Sequence, residues 1–391
     1  MKITRVETIL LSAMPSAPIR WSGGEIAVVQ AALIQVHTDE GITGLGEPYF
    51  GILAAEAVRG IVESLEPLLL GQDPMKVTFL LHRMRSLTLF WARVGAAMSV
   101  IGAIEIALWD IVGKCRNLPV YELLGGKLHE KLPLYASGGL ERPLEELSEE
   151  MQGYKARGLK AVKVRIGMGL KRDTKKLETI RKTLGPDFTI MVDAVQGHNP
   201  QPWTSTEAIE VGKAIQPLDI RWFEEPCGAT DYEGYARVRD HVAIPIAGGE
   251  STTSLDEFKH FFDAGSLDIV QPDTAHSGGI IECQKIASLA ETYGVEVVLH
   301  SWASAVTLAP NYHLAFATPN CRILEYPTWG YPLIEELFME PLRIEDGFVY
   351  PPTAPGLGVQ LTDEIRAKYP FRKGLGARMG KSQPAGSSRQ K

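Results

Sequence analysis

Eight short runs of β-branched and aromatic residues recur between residues 132 and 324, and this repetition constrains the fold more than any other feature of the chain. Helical stretches such as 144–158 and 279–293 lie between several of the runs. Strands that alternate with helices indicate a parallel sheet, and eight of them suit a closed α/β barrel. An open doubly wound sheet is the alternative, although no GxGxxG motif follows an early strand. The runs are 132–135, 161–166, 189–192, 220–223, 244–247, 267–270, 296–299 and 322–324.

Residues 1–127 have a different pattern and are predicted to form a separate α+β domain. Short β-rich segments come first, and helical patterns follow at about 54–70 and 96–114. The barrel domain is then predicted to span 128–335. Residues 336–371 are expected to return to the first domain and complete it.

The composition is that of an ordinary globular protein. Hydrophobic residues make up 45% and charged residues 22% of the chain, and the net charge of −7 favours neither nucleic acid nor an anionic membrane as a partner. Residues 372–391 are basic and rich in Gly, Ser and Pro. We predict a flexible tail there and not a nucleic-acid-binding one, because it has no interleaved aromatic residues.

The apolar runs and the cysteines indicate the cellular compartment in which the protein is expected. The apolar run 96–109 is broken by Glu105 and followed by Asp110, so no membrane span is predicted. Four scattered cysteines form no CxxC pair, which fits neither a zinc ribbon nor a disulfide framework. Reduced thiols in the cytoplasm are therefore expected.

Polar residues stand at the carboxyl ends of the predicted strands, where the catalytic groups of α/β barrels lie. From Lys163 onward, successive positions are separated by 23 to 31 residues, about the length of one strand–helix unit. The side chains are therefore expected at corresponding heights around one mouth of the barrel. The positions are Lys163 and Arg165, Asp193, Glu224, Glu250, Asp273, His300 and Glu325.

Three consecutive strands end in carboxylates, at Asp193, Glu224 and Glu250. Taken singly, each is explained as well by a helix N-cap or a loop charge. Together they are expected to converge and to repel one another unless a cation lies between them. Oxygen ligands without Cys or His suit Mg²⁺, so the series favours a magnesium site.

Two neighbouring strands end in Asp273 and His300. A carboxylate beside an imidazole fixes its tautomer and raises its pKa, which makes a usable general base. His198, in the loop after Asp193, could reach a substrate, although a solvated loop residue is the simpler interpretation.

Ten segments in order resemble the mandelate racemase group of the enolase superfamily, over roughly residues 1–370. The resemblance implies a modified (β/α)7β TIM barrel under an α+β N-terminal capping domain, and a homo-oligomer. The segments are GITGLGEP (41–48), IEIALWDIVGK (104–114), LLGGK (123–127), VKVRIG (162–167), MVDAVQG (191–197), WFEEP (222–226), IPIAGGE (244–250), VQPD (270–273), VVLHSW (297–302) and LEYP (324–327).

The resemblance also implies chemistry. It implies Mg²⁺ on the three carboxylates and abstraction of a proton α to a substrate carboxylate, with His300 as base and Asp273 behind it. Lys163 matches a lysine that contacts the substrate carboxylate. Glu325 matches an acidic residue that hydrogen-bonds the same carboxylate and would do so best if protonated.

Two positions depart from the group. Its Lys-x-Lys is here Lys163-Val164-Arg165, and arginine does not lose its proton, so Arg165 is not a base. Val195 stands where many members have Asn, and Gln196 is a partial replacement.

A single base favours β-elimination, and the resemblance implies an acid sugar as the substrate class. We therefore expect dehydration of an acid sugar to a 2-keto-3-deoxy acid. A racemase, epimerase or cycloisomerase is the alternative, and a catalytically silent binding protein is the third. Substrate contacts are expected from loops of the first domain near 20–25 and 49–53. The residues predicted to bind substrate are Arg20, Trp21, Tyr49, Gln196 and His198.

Overall fold

The computed structural model describes residues 1–22 and 24–374 and, for the backbone, 378–379. Among these residues, the strands are β1 (Ile3–Ala13), β2 (Ile19–Trp21), β3 (Gly24–Ile26), β4 (Val29–Thr38), β5 (Thr43–Gly46), β6 (Leu132–Gly138), β7 (Ala161–Arg165), β8 (Thr189–Asp193), β9 (Ile220–Glu224), β10 (Ile246–Gly248), β11 (Ile269–Val270), β12 (Glu296–Val297), β13 (Leu324–Pro327), β14 (Ile344–Glu345), β15 (Phe348–Val349) and β16 (Arg378–Met379). The helices are α1 (Gly51–Leu65), α2 (Val77–Leu87), α3 (Ala96–Arg116), α4 (Val120–Leu123), α5 (Leu144–Ala156), α6 (Leu170–Leu184), α7 (Ser205–Ile215), α8 (Tyr232–His241), α9 (Leu255–Asp263), α10 (Ile280–Thr292), α11 (Ala305–Phe316), α12 (Leu333–Glu336) and α13 (Asp363–Lys368).

An antiparallel sheet of β1, β4 and β5 forms the N-terminal part together with α1–α3. Glycines let β5 lie directly on α3. A Cβ on Gly44 would come within 2.0 Å of Ala107 O, and one on Gly46 within 1.9 Å of Ala103 O. The segments 41–48 and 104–114 are therefore the two sides of one packing contact.

Helix α3 is the one described helix long and apolar enough to cross a membrane. Its most apolar window has a mean hydropathy of 1.7, and 89% of that window is buried inside the protein. A core helix has the same pattern. Glu105 on α3 accepts hydrogen bonds from Ile280 N at 2.9 Å and Ile281 N at 3.1 Å, so the helix also holds the start of α10.

The same interface makes Gly102 sensitive to substitution. A Cβ at Gly102 would lie 2.4 Å from Gly279 N and 2.6 Å from Gly278 C, both backbone atoms. We expect Gly102→Ala to lower the free energy of unfolding by about 1–3 kcal/mol through overpacking, measured by urea denaturation. The control is Gly60→Ala on α1, where nothing lies within 4 Å. It should be neutral or stabilising by up to about 1 kcal/mol, and equal stability of the two variants would contradict the contact.

Eight parallel strands, β6 to β13, form the α/β barrel predicted from the sequence. The order is β12-β11-β10-β9-β8-β7-β6, and β13 pairs with β6 on its other side. A parallel bridge between Val297 and Cys321 links the two ends of this series. This bridge, together with the pairing of β13 with β6, favours a barrel over the open doubly wound sheet.

The inward-facing side chains of the barrel form layers, because every second residue of a strand faces inward. One apolar cluster contains Tyr135, Ala161, Met191, Trp222, Ala247, Ile269, Val298 and Ile323. Alternate residues of a strand face the same side, so the next inward positions lie two residues further along. These positions are Ser137, Lys163, Asp193, Glu224, Gly249, Gln271, His300 and Glu325. A polar layer therefore lies directly on a filled apolar floor.

The C-terminal segment contacts both parts of the protein. Strand β15 pairs antiparallel with β6, whereas Pro370 bridges Leu11 of β1, and Val120 N donates to Gly356 O at 3.0 Å. Within the predicted tail 372–391, the β16 residues pair with β3. The other positions of that tail beyond 374 lie outside the described residues. All four cysteines are free.

Candidate active site

Lys163 lies at the centre of the polar layer. Its Nζ is 2.5 Å from Glu224 Oε1, 3.0 Å from Glu325 Oε1 and 3.9 Å from Asp193 Oδ2, and its side chain is fully buried. Burial lowers the pKa of Lys163, but Glu224 and Glu325 outweigh it and raise that pKa. The ammonium group is therefore retained, and its position is fixed by three carboxylates.

Arg165 follows on the same strand and faces the same way. Its guanidinium donates to Asp193 Oδ2, and its central carbon lies 5.0 Å from the centre of the Trp302 ring. The side chain is 11% exposed, at the edge of the cavity described below. Arg165 therefore supplies a fixed positive charge there.

The three predicted metal ligands come together. Asp193, Glu224 and Glu250 each offer an oxygen within 4.8 Å of the others, and all three are buried. Glu224 Oε2 accepts from Trp222 Nε1 at 2.9 Å and from Gln271 Nε2 at 2.7 Å. This arrangement holds the carboxylates in place while leaving their charges close together.

The donor set of this cluster fits a divalent cation. Within the described residues, Glu250 Oε2 accepts no hydrogen bond although it is buried. Buried carboxylates need a compensating positive charge, and Mg²⁺ takes oxygen ligands. A second group consists of His198, Glu225 and Glu250. Its possible ligand atoms also lie within 4.8 Å of one another, but one of them is a nitrogen. It suits Mg²⁺ less well.

The predicted histidine–aspartate pair is formed. His300 Nδ1 is 2.8 Å from Asp273 Oδ2, and His300 Nε2 is 3.6 Å from Glu250 Oε2. Burial lowers the pKa of His300, but the Glu250 and Asp273 carboxylates outweigh it and raise the pKa to about 9. The ring therefore holds a proton at neutral pH while these carboxylates carry their full charge. Its Nε2 is the atom left to exchange a proton with a ligand.

Asn311 is a part of this pair that sequence reasoning missed. Its Nδ2 donates to Asp273 Oδ1 and to His300 O, both at 2.9 Å, and its Oδ1 accepts from Thr274 N at 2.9 Å. It comes from α11 and not from a strand end, so the strand-end pattern gives no signal for it. The side-chain amide of Asn311 therefore holds His300 and Asp273 in fixed positions relative to each other.

Glu325 lies on the other side of Lys163 from Glu224. Its Oε2 accepts from Ser301 N at 2.8 Å. Burial raises the pKa of Glu325, but Lys163, His300 and Arg165 together outweigh it and the pKa is lowered. Lys163 therefore stabilises the ionised form of Glu325 in this arrangement, whereas the resemblance favours the protonated form for a hydrogen bond to substrate.

A cavity of about 310 Å³ opens above the polar layer. It is lined by three of the residues predicted to bind substrate, Trp21, Tyr49 and His198. The ring of Tyr49 lies edge-on to His300, with centroids 5.1 Å apart. His276 also lines the cavity, and burial lowers its pKa to about 4, so it is neutral. No sequence prediction included His276.

Two residues predicted to bind substrate are not brought to the cavity. The side chain of Arg20 is 57% exposed and pairs with Glu25, with Nε 2.9 Å from Oε2. Gln196 is buried, donating to Ala194 O at 2.7 Å and accepting from Trp203 N at 3.0 Å. Arg20 faces outward because it lies between two inward-facing residues on β2. The side chain of Gln196 instead forms hydrogen bonds within its own loop.

Two family models match the chain. The N-terminal domain of mandelate racemase/muconate lactonizing enzymes matches residues 5–125, and an enolase C-terminal domain-like unit matches 146–365. The chain therefore belongs to the mandelate racemase/muconate lactonizing enzyme group of the enolase superfamily. This finding confirms the resemblance and the fold class predicted from the sequence.

Named relatives span nearly the whole chain. It is 32% identical over 381 residues to D-galactarolactone cycloisomerase of Agrobacterium fabrum, covering 94% of this chain and 99% of the relative. It is 34% identical over 342 residues to arabinonate dehydratase of Saccharolobus solfataricus, covering 86% and 89%. A solved racemase from Streptomyces coelicolor A3(2) with bound magnesium has a TM-score of 0.85 and 30% identity, covering 94% of this chain and 99% of that one.

Proposed function

We propose that this protein is a magnesium-dependent hydro-lyase that dehydrates an acid sugar to a 2-keto-3-deoxy acid. The observation that carries the proposal is the His300–Asp273 pair, held 3.6 Å from a buried carboxylate of the three-carboxylate cluster. A base beside a cation site is the arrangement needed to remove a proton α to a carboxylate. The arabinonate dehydratase relative supports this choice of reaction.

Asp193, Glu224 and Glu250 would hold the magnesium ion. When bound, the ion supplies positive charge that stabilises the second negative charge developing on the substrate carboxylate as the α-proton leaves. Lys163 and Arg165 add fixed positive charges at the same mouth of the barrel. Lys163 is buried among carboxylates, so it orients the site and is not free to accept a proton.

The elimination then needs two proton movements. A cation held by Glu250 would offset one of the carboxylates that raise the pKa of His300, so that the ring can become neutral. The neutral His300 then takes the proton from C2 at Nε2, and the electron pair of that bond forms the C2–C3 double bond as the C3–O bond breaks. The departing hydroxide takes a proton and leaves as water, and the resulting enol becomes the 2-keto-3-deoxy acid. His300 can return its own proton to the departing group in a syn elimination, so no further acid is required.

A single base predicts exchange on one face of the substrate. In D₂O with Mg²⁺, deuterium should enter one configuration at C2 without formation of the C2 epimer, measured by NMR. Exhaustive chelation of the metal should stop the exchange. Interconversion of both C2 epimers as fast as dehydration would make the racemase alternative the better one, with Lys163 as the second base.

The matched variant is Arg165→Lys. Lysine can lose its proton in a partly desolvated site near other cations, whereas arginine cannot. Some exchange into the opposite C2 configuration is therefore expected in Arg165→Lys and none in the unchanged protein. Equal opposite-face exchange in both proteins would contradict a purely electrostatic role for Arg165.

A cycloisomerase acting on a related acid is the second candidate. The cycloisomerase relative favours it. Such a reaction would begin with the same proton abstraction, but an isomerisation releases no water. Release of water distinguishes the two reactions. A homo-oligomer in the cytoplasm is proposed from the resemblance and the unpaired cysteines, and light scattering tests the oligomer.

A further inference from the structure

The cavity above the polar layer has two chemically different walls. Among the described residues, its charged and imidazole side chains come from the barrel: Arg165, His198, Glu250 and His276. The wall from the N-terminal part is apolar apart from Tyr49, which lies against His300. The apolar side chains on that wall include Ile19, Trp21, Ile26, Val29, Ile52 and Leu53.

Alternation along the β2–β3 hairpin produces this apolar wall. Ile19 and Trp21 line the cavity, whereas Arg20 between them is paired with Glu25 and exposed. On β3, Ile26 lines the cavity and Glu25 does not. Since successive side chains of a strand point to opposite faces, the hairpin places its charges outside and its hydrocarbon inside.

Val195 adds to the apolar surface of the cavity from the barrel side. Its backbone conformation is unfavourable for valine. Val195 lines the cavity and has a φ of 53°. A β-branched residue in the left-handed region is an outlier, and such strain clusters at functional sites. Asparagine tolerates this conformation far better. The position therefore combines a strained backbone with an apolar side chain that lines the ligand space.

We infer that the substrate is a 2,3-dihydroxy acid whose chain beyond C3 is a hydrocarbon group, alkyl or aryl, and not a polyhydroxylated chain. The inference rests on the proposed function for the dehydration at carbons C1 to C3, and it replaces the acid sugar named there by a 2,3-dihydroxy acid that carries a hydrocarbon group. Hydroxyl groups buried against these side chains would lose water without gaining a partner, whereas a hydrocarbon group gains by burial. At about 310 Å³ the cavity is at the small end of ligand sites.

The experiment compares three acids of matched C2 configuration with Mg²⁺ and the full chain, and the two that are stereogenic at C3 also share the C3 configuration. They carry at C3 a hydrogen, a phenyl or propyl group, or a trihydroxypropyl group. The acid with hydrogen at C3 is the reference, because its turnover reports the dehydration step without a group that contacts the apolar wall. The kcat/KM for 2-keto acid formation should be about 10–100-fold higher with the hydrocarbon group than with the trihydroxypropyl group.

A variant pair tests the wall itself. Val195→Asn places an amide in the cavity and relieves the backbone, so it should unfold at the same or a higher temperature. Its preference for the hydrocarbon acid over the hydroxylated acid should fall by about tenfold. Val195→Ala keeps the wall apolar and should retain most of the preference. An unchanged preference in Val195→Asn would overturn this part of the inference.

Binding separates failure of the inference from failure of the proposed function. The 3-deoxy analogues of the same acids have no leaving group, and their affinities are measured by calorimetry. Tighter binding of the hydrocarbon analogue supports the inference even if no acid is dehydrated or exchanged. Absence of dehydration and exchange would contradict the proposed function but not the inference. Equal or better turnover, or tighter binding, of the hydroxylated member overturns the inference and leaves the dehydratase proposal standing.

Discussion

His300→Gln is expected to lower kcat by about 10²–10⁴-fold, the usual contribution of a general base. Glutamine is polar and of similar reach, so the buried site keeps its shape while the proton acceptor is lost. Exchange of the C2 proton with D₂O should fall by the same factor as dehydration, because both begin with the same abstraction. NMR exchange and 2-keto acid formation measured on one sample check this.

Asp273→Asn is the companion variant, since it leaves His300 in place and removes the charge 2.8 Å from its Nδ1. The rate should fall by less than in His300→Gln. Removing a carboxylate that raises the pKa of His300 lowers that pKa, so the acidic limb of the pH–rate profile should move to lower pH. An unchanged profile would rule out the pairing. Circular dichroism verifies that the fold is intact.

The strand period explains why so much of the site could be predicted from the sequence. Ala161, Met191 and Trp222 belong to the apolar floor, and the residue two positions after each belongs to the polar layer. Periodicity of two and the β/α repeat length are local properties, so they can be read from one sequence. Applied to Ile269, the same rule would have found Gln271, which was missed and which donates to Glu224.

Residues that depend on tertiary contacts could not be predicted in this way. Asn311 lies on a helix, and only packing of α11 against the strand ends brings it to Asp273. The orientation of Arg20 depends on the register of the β2–β3 hairpin, which the residue pattern does not specify. The pattern therefore predicts a ligand contact for a side chain that is 57% exposed and paired with Glu25. The ionisation of Glu325 depends on Lys163 at 3.0 Å, a distance the sequence does not contain.

Glu224→Gln is expected to weaken Mg²⁺ binding by more than about 100-fold and to abolish turnover. Loss of a partner that only orients a metal ligand costs about 10–100-fold in affinity, and loss of a ligand should cost more. The amide keeps the shape and the contact with Gln271 but removes the charge that the cation needs. Titration calorimetry of metal-free protein with Mg²⁺ measures the affinity directly.

The adjacent Glu225 provides the matched control, because the two candidate metal groups share Glu250 and differ in which of these glutamates they use. The Glu225 Oε1 atom accepts from Ser251 Oγ at 3.2 Å. Among the described residues, the carboxylates paired with Lys163 are those of Asp193, Glu224 and Glu325, and Gln271 donates to Glu224 and not to Glu225. Glu225→Gln should therefore retain most of the Mg²⁺ affinity. The reverse result, with affinity kept in Glu224→Gln and lost in Glu225→Gln, would place the ion between His198 and Glu225. His300 would then face an ion bound by a different set of ligands, and the roles of Lys163 and Asp193 would have to be reassigned to substrate binding.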